Sequence, residues 1–108
     1  MALFRGLLIA MILVLGIYTI LVIQAHGMNL LTVFFGDIAK MAWPGQFNMD
    51  FAGFLILSAL WTSWREHFSP LGLLLGLIAF FGGIMFLAPY LLLLSYRTDG
   101  DMKKLFLG

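Results

Sequence analysis

Residues 6–25 read GLLIAMILVLGIYTILVIQA, a run of 20 residues without a formal charge. At about 1.5 Å per residue, a helix of this length spans the roughly 30 Å hydrocarbon core of a bilayer. The run is longer than the apolar region of about 7–15 residues in a signal peptide, and it lacks a small-x-small cleavage pattern. We therefore expect it to form a retained first transmembrane helix.

The composition extends this interpretation to the whole chain of 108 residues. Apolar residues make up 63% and charged residues 10%, against about 45–50% and about 25% in ordinary soluble domains. A soluble domain this small could not bury so much apolar surface, whereas a bilayer can act as its solvent. The sequence therefore predicts an all-α integral membrane protein with residues 1–108 as a single transmembrane domain.

Two further features of the composition exclude classes of function. The chain has no cysteine, which excludes disulfides, thiolate catalysis and cysteine-held iron–sulfur clusters. Its net charge is +1 and it has no basic stripe, so no nucleic-acid partner is expected.

A second long uncharged run predicts the last transmembrane helix, over residues 70–96. Ser69 followed by Pro70 is typical of a helix start, because the hydroxyl can cap and the missing proline N–H costs nothing there. Pro89 lies inside the run and is expected to kink the helix one turn earlier, near Met85.

The middle span is less apolar and is predicted over residues 47–64. Asn48 or Asp50 is expected to cap its start, where the positive end of the helix dipole favours a carboxylate. Trp61 and Trp64 lie at its other end, and amphipathic rings prefer the headgroup level.

Between the first and middle spans, residues 28–43 have apolar side chains at helical spacing and polar side chains on much of the opposite face. This pattern predicts an amphipathic helix in the interface plane, ended by a turn at residues 43–45. The alternative is a fourth spanning helix in which Asp37 and Lys40 pair at i, i+3. Two charges in the middle of a short segment disfavour that alternative.

The charges give conflicting indications of orientation. Three spans with the N-terminus inside would leave four of the six Lys and Arg residues outside, against the positive-inside tendency, and the reverse orientation would satisfy it. Four spans with both ends inside would leave only Arg65 outside. Hydropathy favours three spans, so three are predicted and the orientation stays open.

Small residues recur on one face of the last predicted helix, at i, i+4, i+7 and i+11, and a shorter pattern repeats on the first helix. Small side chains let membrane helices approach closely, so we expect helix packing, within the chain or against a partner. The alternative is a flat groove for a lipid, carotenoid or chlorin tail. The helix-packing set is Gly72, Gly76, Ala79, Gly83, Gly6 and Ala10.

The polar residues provide few candidates for chemistry. His26 and His67 are weak candidates for cofactor binding, as axial ligands of haem or of chlorophyll magnesium, but both flank predicted spans as interface residues do. Asp50 is the possible functional acid, because a carboxylate near a membrane helix is costly unless it faces protein, water or a partner. Arg65 and Glu66, next to His67, are more typical of a polar loop than of an acid/base site. No catalytic residue and no metal site are predicted.

Four segments carry a resemblance to known sequences. They read FNMDF at 47–51, LWTSWRE at 60–66, FLAPYLL at 86–92 and GDMKKLFLG at 100–108. From roughly Gly36 onward the chain resembles a family of small bacterial multi-span membrane proteins of uncharacterised function. The resemblance implies a multi-pass protein of the bacterial cytoplasmic membrane and transfers no catalytic residue.

The sequence favours a non-catalytic accessory subunit of a larger bacterial membrane complex, respiratory or photosynthetic. Three short helices enclose little interior, and the small-residue faces invite partners, so membrane lipids and other membrane subunits are the expected partners. Such a subunit could hold lipid, carotenoid or chlorin at its helix surface. The alternative is a homo-oligomeric small transporter or channel with Asp50 in the pathway. An enzyme is not expected, because polar residues are scarce in the predicted spans.

Overall fold

The computed structural model describes residues 1–108, and every element in it is an α-helix. The helices are α1 Ala2–His26, α2 Leu30–Ala39, α3 Trp43–Arg65, α4 Pro70–Gly82, α5 Ile84–Arg97 and α6 Met102–Leu107. The prediction of an all-helical fold is confirmed.

α1 is the one helix that is both long enough and apolar enough to cross a membrane. Its 25 residues correspond to about 37 Å of helix, and it begins at Ala2 and ends at His26, so it extends beyond the predicted span 6–25 mainly at its start. α3 is nearly as long, with 23 residues, but Gln46, Asn48 and Asp50 make its first half polar. The prediction of three transmembrane helices is therefore not confirmed by helix length and composition.

The start of α3 corrects two predictions. The turn expected at residues 43–45 lies at residues 40–42, and α3 begins earlier than predicted, with Pro44 in its first turn. Proline fits there because its missing N–H is one of the groups without a helical partner. The N-cap is Ala42, so the prediction that Asn48 or Asp50 caps the helix is wrong.

α2 is shorter than the helix predicted over 28–43, and it packs against the beginning of α3. A Cβ on Gly45 would overlap the backbone of Asp37 and Ile38, so the two helices meet with their backbones almost in contact. The Asn48 side-chain amide donates a hydrogen bond to the Phe34 carbonyl at 3.0 Å. Asn48 thus joins α3 to α2 from within α3.

The predicted span 70–96 is two helices, α4 and α5, separated at Gly83. Gly83 has φ +54° and ψ −134°, a conformation that a residue with a Cβ adopts only with strain. Its N–H still donates to Ala79 at 3.1 Å, and its carbonyl accepts from Leu87 at 2.9 Å, so the break leaves few unpaired groups. The break therefore occurs at a glycine, two residues before the kink that Pro89 was expected to cause near Met85.

α4 runs antiparallel to α3. A Cβ on Gly72 would approach Glu66, a Cβ on Gly76 would meet Ser63, and a Cβ on Gly83 would lie 3.2 Å from the Phe51 ring. Residues later in α4 therefore lie against residues earlier in α3, as expected for an antiparallel pair of helices.

α5 then returns beside α1, also antiparallel. Met85 lies near Gly16 in the middle of α1, whereas Ser95 is hydrogen-bonded to Arg5 near its start. α4 and α5 therefore form a helical hairpin whose two outer ends lie at the same end of the molecule and whose tip is Gly83.

The molecule consequently has two ends of different character. One end, called the basic end below, holds Met1, the 66–69 loop, the C-terminus of α5, and α6. Met1 lies against Gly100 there. The other end, called the far end, holds His26, α2 and the start of α3. All lysines and arginines except Lys40 lie at the basic end.

The interior is small. Only 13 of the 108 residues are buried. The apolar ones are Leu8, Ala79, Ala88, Tyr90, Leu91, Leu94 and Leu105. Many large apolar side chains face outward, with Val14 70% and Phe81 68% exposed. An apolar outer surface of this extent is typical of a protein whose solvent is lipid.

Candidate functional site

The small-residue face of α4 is buried against α3. Gly72, Gly76 and Ala79 are the buried residues of α4. The Ser63 hydroxyl donates to the Gly72 carbonyl at 3.2 Å, which adds a hydrogen bond to this close approach. This face therefore packs two helices of the same chain and leaves no room for a ligand tail between them.

The small residues of α1 that were predicted to pack are not buried against another helix. Gly6 and Ala10 are exposed, and a Cβ on Gly6 would have no atom within 4 Å. Ala10 borders an open hollow of about 560 Å³ whose lining is entirely apolar and includes Tyr18 and Ile84. Helix packing through Gly6 and Ala10 therefore stays a prediction, and it would have to involve a partner protein. The apolar lining of the hollow is suited to a hydrocarbon chain.

Arg5 joins the first long helix to the last. Its Nε donates to the Ser95 hydroxyl at 3.0 Å, and a terminal nitrogen donates to the Ser95 carbonyl at 2.9 Å. The guanidinium also lies 4.0 Å from the centroid of the Tyr96 ring. Ser95 is fully buried, so the pair fixes α5 on α1 by charge-assisted hydrogen bonds and a cation–π contact.

A second polar network at the basic end holds α6 in place. Arg65 Nε donates to the Leu105 carbonyl at 2.7 Å, and Trp61 Nε1 donates to the Phe106 carbonyl at 3.1 Å. These carbonyls belong to the last turn of α6 and have no helical partner, so the two α3 side chains cap that helix. Leu105 itself is fully buried in the core.

The same network includes α5. The Tyr90 hydroxyl donates to the Glu66 carboxylate, which also lies 3.5 Å from Arg65. The rings of Trp61 and Tyr90 meet edge to face at 6.0 Å. Because each of these polar groups bonds to another part of the chain, the arrangement fastens α3, α5 and α6 together.

We expect Arg65→Met to release α6 while the rest of the molecule stays folded. Methionine places a long apolar side chain at this position but cannot donate the hydrogen bonds to α6. Hydrogen bonds that involve a charged group contribute roughly 1.5–3 kcal/mol. A helix of six residues has little stability of its own, so local opening should increase about tenfold or more. The measurement is the rate of tryptic cleavage after Lys103 and Lys104 in detergent.

Arg97→Met is the matched control for this experiment. Arg97 is exposed at the same end and makes no side-chain hydrogen bond, so its loss changes the local charge equally and leaves the cap intact. Equal cleavage rates in the Arg65 variant and in the control would show that the cap does not hold α6.

Asp50 lies on the outer surface of α3, two turns from its start. It borders two adjoining hollows of about 630 Å³ and about 400 Å³. The chain forms one ion pair, between Arg65 and Glu66, so the Asp50 carboxylate has no cationic partner within the protein. It is an exposed, unpaired acid on a largely apolar surface.

The two histidines do not form a site together. His26 ends α1 at the far end and borders a hollow shared with Asn29, whereas His67 is exposed in the loop of the basic end. No group of three or more His, Asp or Glu side chains lies close enough to hold a metal ion.

The sequence reasoning missed the two polar networks of the basic end. Arg65 and Glu66 had been assigned to a polar loop, and Ser95 and Tyr90 had been given no hydrogen-bonding role. A signal was present: Arg5 and Arg65 adjoin apolar helices, where an arginine needs polar partners. What the sequence could not provide was the partner itself, because the hairpin brings Ser95 to a residue 90 positions away.

The Ser63 and Ser95 hydroxyls form hydrogen bonds between helices, whereas the Ser58 and Thr62 hydroxyls are buried without a hydrogen-bond partner. The features that face outward are the apolar outer surface, the hollow beside Ala10 and the Asp50 carboxylate. Comparison with protein families, with curated proteins and with solved structures gives no match to this chain.

Proposed function

We propose that this chain is a multi-pass protein of the bacterial cytoplasmic membrane. In this arrangement α1 and α3 cross the bilayer, and the α4–α5 hairpin enters from the basic end and returns to it. α4 and α5 have 13 and 14 residues, or about 20 Å each, which is too short to cross alone. Non-helical backbone at membrane depth is tolerated where protein covers it, and Phe51 and Leu55 cover Gly83.

The charge distribution supports one orientation of this arrangement. With the hairpin re-entrant, every Lys and Arg except Lys40 lies on one side of the membrane. The positive-inside tendency then assigns the basic end, with both termini, to the cytoplasm. The conflict between charge and hydropathy that three full spans create does not arise.

For function, we propose a non-catalytic accessory subunit of a larger membrane complex. The observation that carries this proposal is the outer surface: 13 of 108 residues are buried, and Arg5 and Arg65 are engaged in hydrogen bonds that hold helices together. A molecule with so little interior has no enclosed chamber for a substrate. Its extensive apolar faces suit contact with lipid and with neighbouring membrane subunits.

The experiment is a native pull-down in mild detergent, through a tag joined to Gly108 by a flexible linker. The eluate is analysed by mass spectrometry and by its absorption spectrum. We expect a stoichiometric complex of larger membrane subunits, and pigment or haem bands would identify the complex as photosynthetic or respiratory. The chain should also become scarce in cells when the main partner is deleted.

Elution of the protein alone, or only with itself, would overturn the accessory-subunit proposal. The homo-oligomeric transporter would then be the function to test. Its test is ion or solute flux in liposomes, which Asp50→Asn should abolish while expression stays normal.

A further inference from the structure

The outer surface of α3 carries a shallow, open groove made of adjoining hollows. Three hollows follow one another along the helix: the first two share Asp50, and the last two share Phe54 and Leu57. The α3 groove, as we call it, runs from Gln46 at the far end to Trp61 near the basic end. Fifteen residues of helix separate these positions, or about 22 Å.

The lining of the α3 groove is suited to another helix. Phe54 and Leu57 are 66% and 64% exposed, and no atom lies within 4 Å of a Cβ on Gly53. A small residue between large apolar ones lets a second membrane helix approach closely. A length of about 22 Å corresponds to roughly four turns of such a helix.

Asp50 determines what kind of helix fits. It lies about 10 Å along the axis from Trp43, inside the part of α3 that the proposed arrangement places in the membrane. An acid in a membrane segment is costly unless it pairs, and the chain itself provides no cation for it. A purely apolar occupant, such as a lipid chain, would bury the carboxylate unpaired.

A second copy of this chain fits poorly. A symmetric dimer through the α3 groove would place the same surface of both copies together, so the two Asp50 carboxylates would approach each other. Like charges in a low-dielectric environment repel strongly. A partner helix from a different protein avoids this repulsion.

We infer that the α3 groove docks one transmembrane helix of a partner protein, and that this helix carries a Lys or Arg opposite Asp50. The inference rests on the proposed accessory-subunit function and names the partner surface. Apolar contacts along Phe54 and Leu57 give close packing, and the Asp50 ion pair sets the register and excludes helices without a cation.

The experiment uses the absence of native cysteine. Leu57→Cys, in the α3 groove, is labelled in native membranes with a thiol-specific photo-crosslinker, and Leu74→Cys, on the exposed surface of α4, is the control. We expect an adduct from position 57 with one membrane protein, at least tenfold above the yield from position 74. The crosslinked peptide should map to a transmembrane helix with a Lys or Arg within one turn.

The charge pair is tested in the same assay. Asp50→Asn and Asp50→Lys should each reduce the adduct at least tenfold, and Asp50→Lys should be rescued when the partner's cation is changed to Glu. Because the Asp50 side chain is exposed and forms no ion pair within the chain, the thermal unfolding of purified Asp50→Asn should match that of the parent protein.

Four results would overturn the inference. They are an adduct of this chain with itself, an adduct with lipid only, a protein adduct whose yield does not change in Asp50→Asn, and no adduct from position 57. If the pull-down returns a complex but position 57 gives no adduct, the inference fails while the accessory-subunit function stands. If neither experiment finds a partner, that function fails as well.

Discussion

Gly76→Leu is expected to destabilise the protein by about 3 kcal/mol or more, the largest effect of any substitution considered. A Cβ at Gly76 would overlap the Ser63 hydroxyl and lie 3.1 Å from the Ala59 carbonyl. The obstacle is partly α3 backbone, so relief requires the two helices to separate. Separation would also break the hydrogen bond from Ser63 to Gly72.

The measurement is an unfolding titration with SDS in mixed micelles, followed by circular dichroism or tryptophan fluorescence. Gly6→Leu is the matched control, because a Cβ on Gly6 has no atom within 4 Å. Leucine is also the better helix former by roughly 1 kcal/mol, so the control should be neutral or slightly stabilised. Equal destabilisation of both variants would contradict the close packing of α4 on α3.

The second prediction concerns the side of the membrane on which the two ends of the α4–α5 hairpin lie, and its outcome is all-or-none. Single cysteines at His67 and Lys103 should react from the same side of the membrane, and a cysteine at Met28 from the opposite side. His67 precedes the hairpin and Lys103 follows it, so a re-entrant hairpin keeps both at the basic end. A complete third span would place these two positions on opposite sides.

The cysteine-free chain makes this measurement direct, since each variant has a single thiol. Spheroplasts are treated with a membrane-impermeant maleimide, before and after permeabilisation. Under the proposed orientation Met28→Cys reacts in intact spheroplasts, whereas His67→Cys and Lys103→Cys react only after permeabilisation. Labelling of only one of His67→Cys and Lys103→Cys in intact spheroplasts would favour the three-span arrangement, in whichever orientation it lies.

The fold was predictable from the sequence where a local pattern determined the structure. The uncharged run 6–25 became α1, and Ser69 caps α4 as expected, accepting a hydrogen bond from the Gly72 N–H at 3.0 Å. These features depend on residues within a few positions of one another, so periodicity and capping rules identify them.

The errors arose where distant segments meet. Pro89 was a stronger local signal than Gly83, yet the break is at Gly83, where φ is +54° and the backbone lies so close to Phe51 that an added Cβ would be 3.2 Å from its ring. The start of α3 was placed too late because Asp50 suggested a cap, whereas the contact of Gly45 with α2 depends on tertiary packing. The Asp50 candidate could be named from the sequence, but the groove around it required the packed helices.

The bond between Arg5 and Ser95 also has a consequence for biogenesis. The two residues are 90 positions apart, so α1 leaves the ribosome long before its packing partner has been synthesised. At roughly 5–20 residues per second, and in the proposed membrane arrangement, α1 waits several seconds or more in the bilayer before α5 can cover its packing face. During that interval the nascent chain needs lipid, the insertion machinery or a chaperone to shield Leu8 and the Arg5 guanidinium.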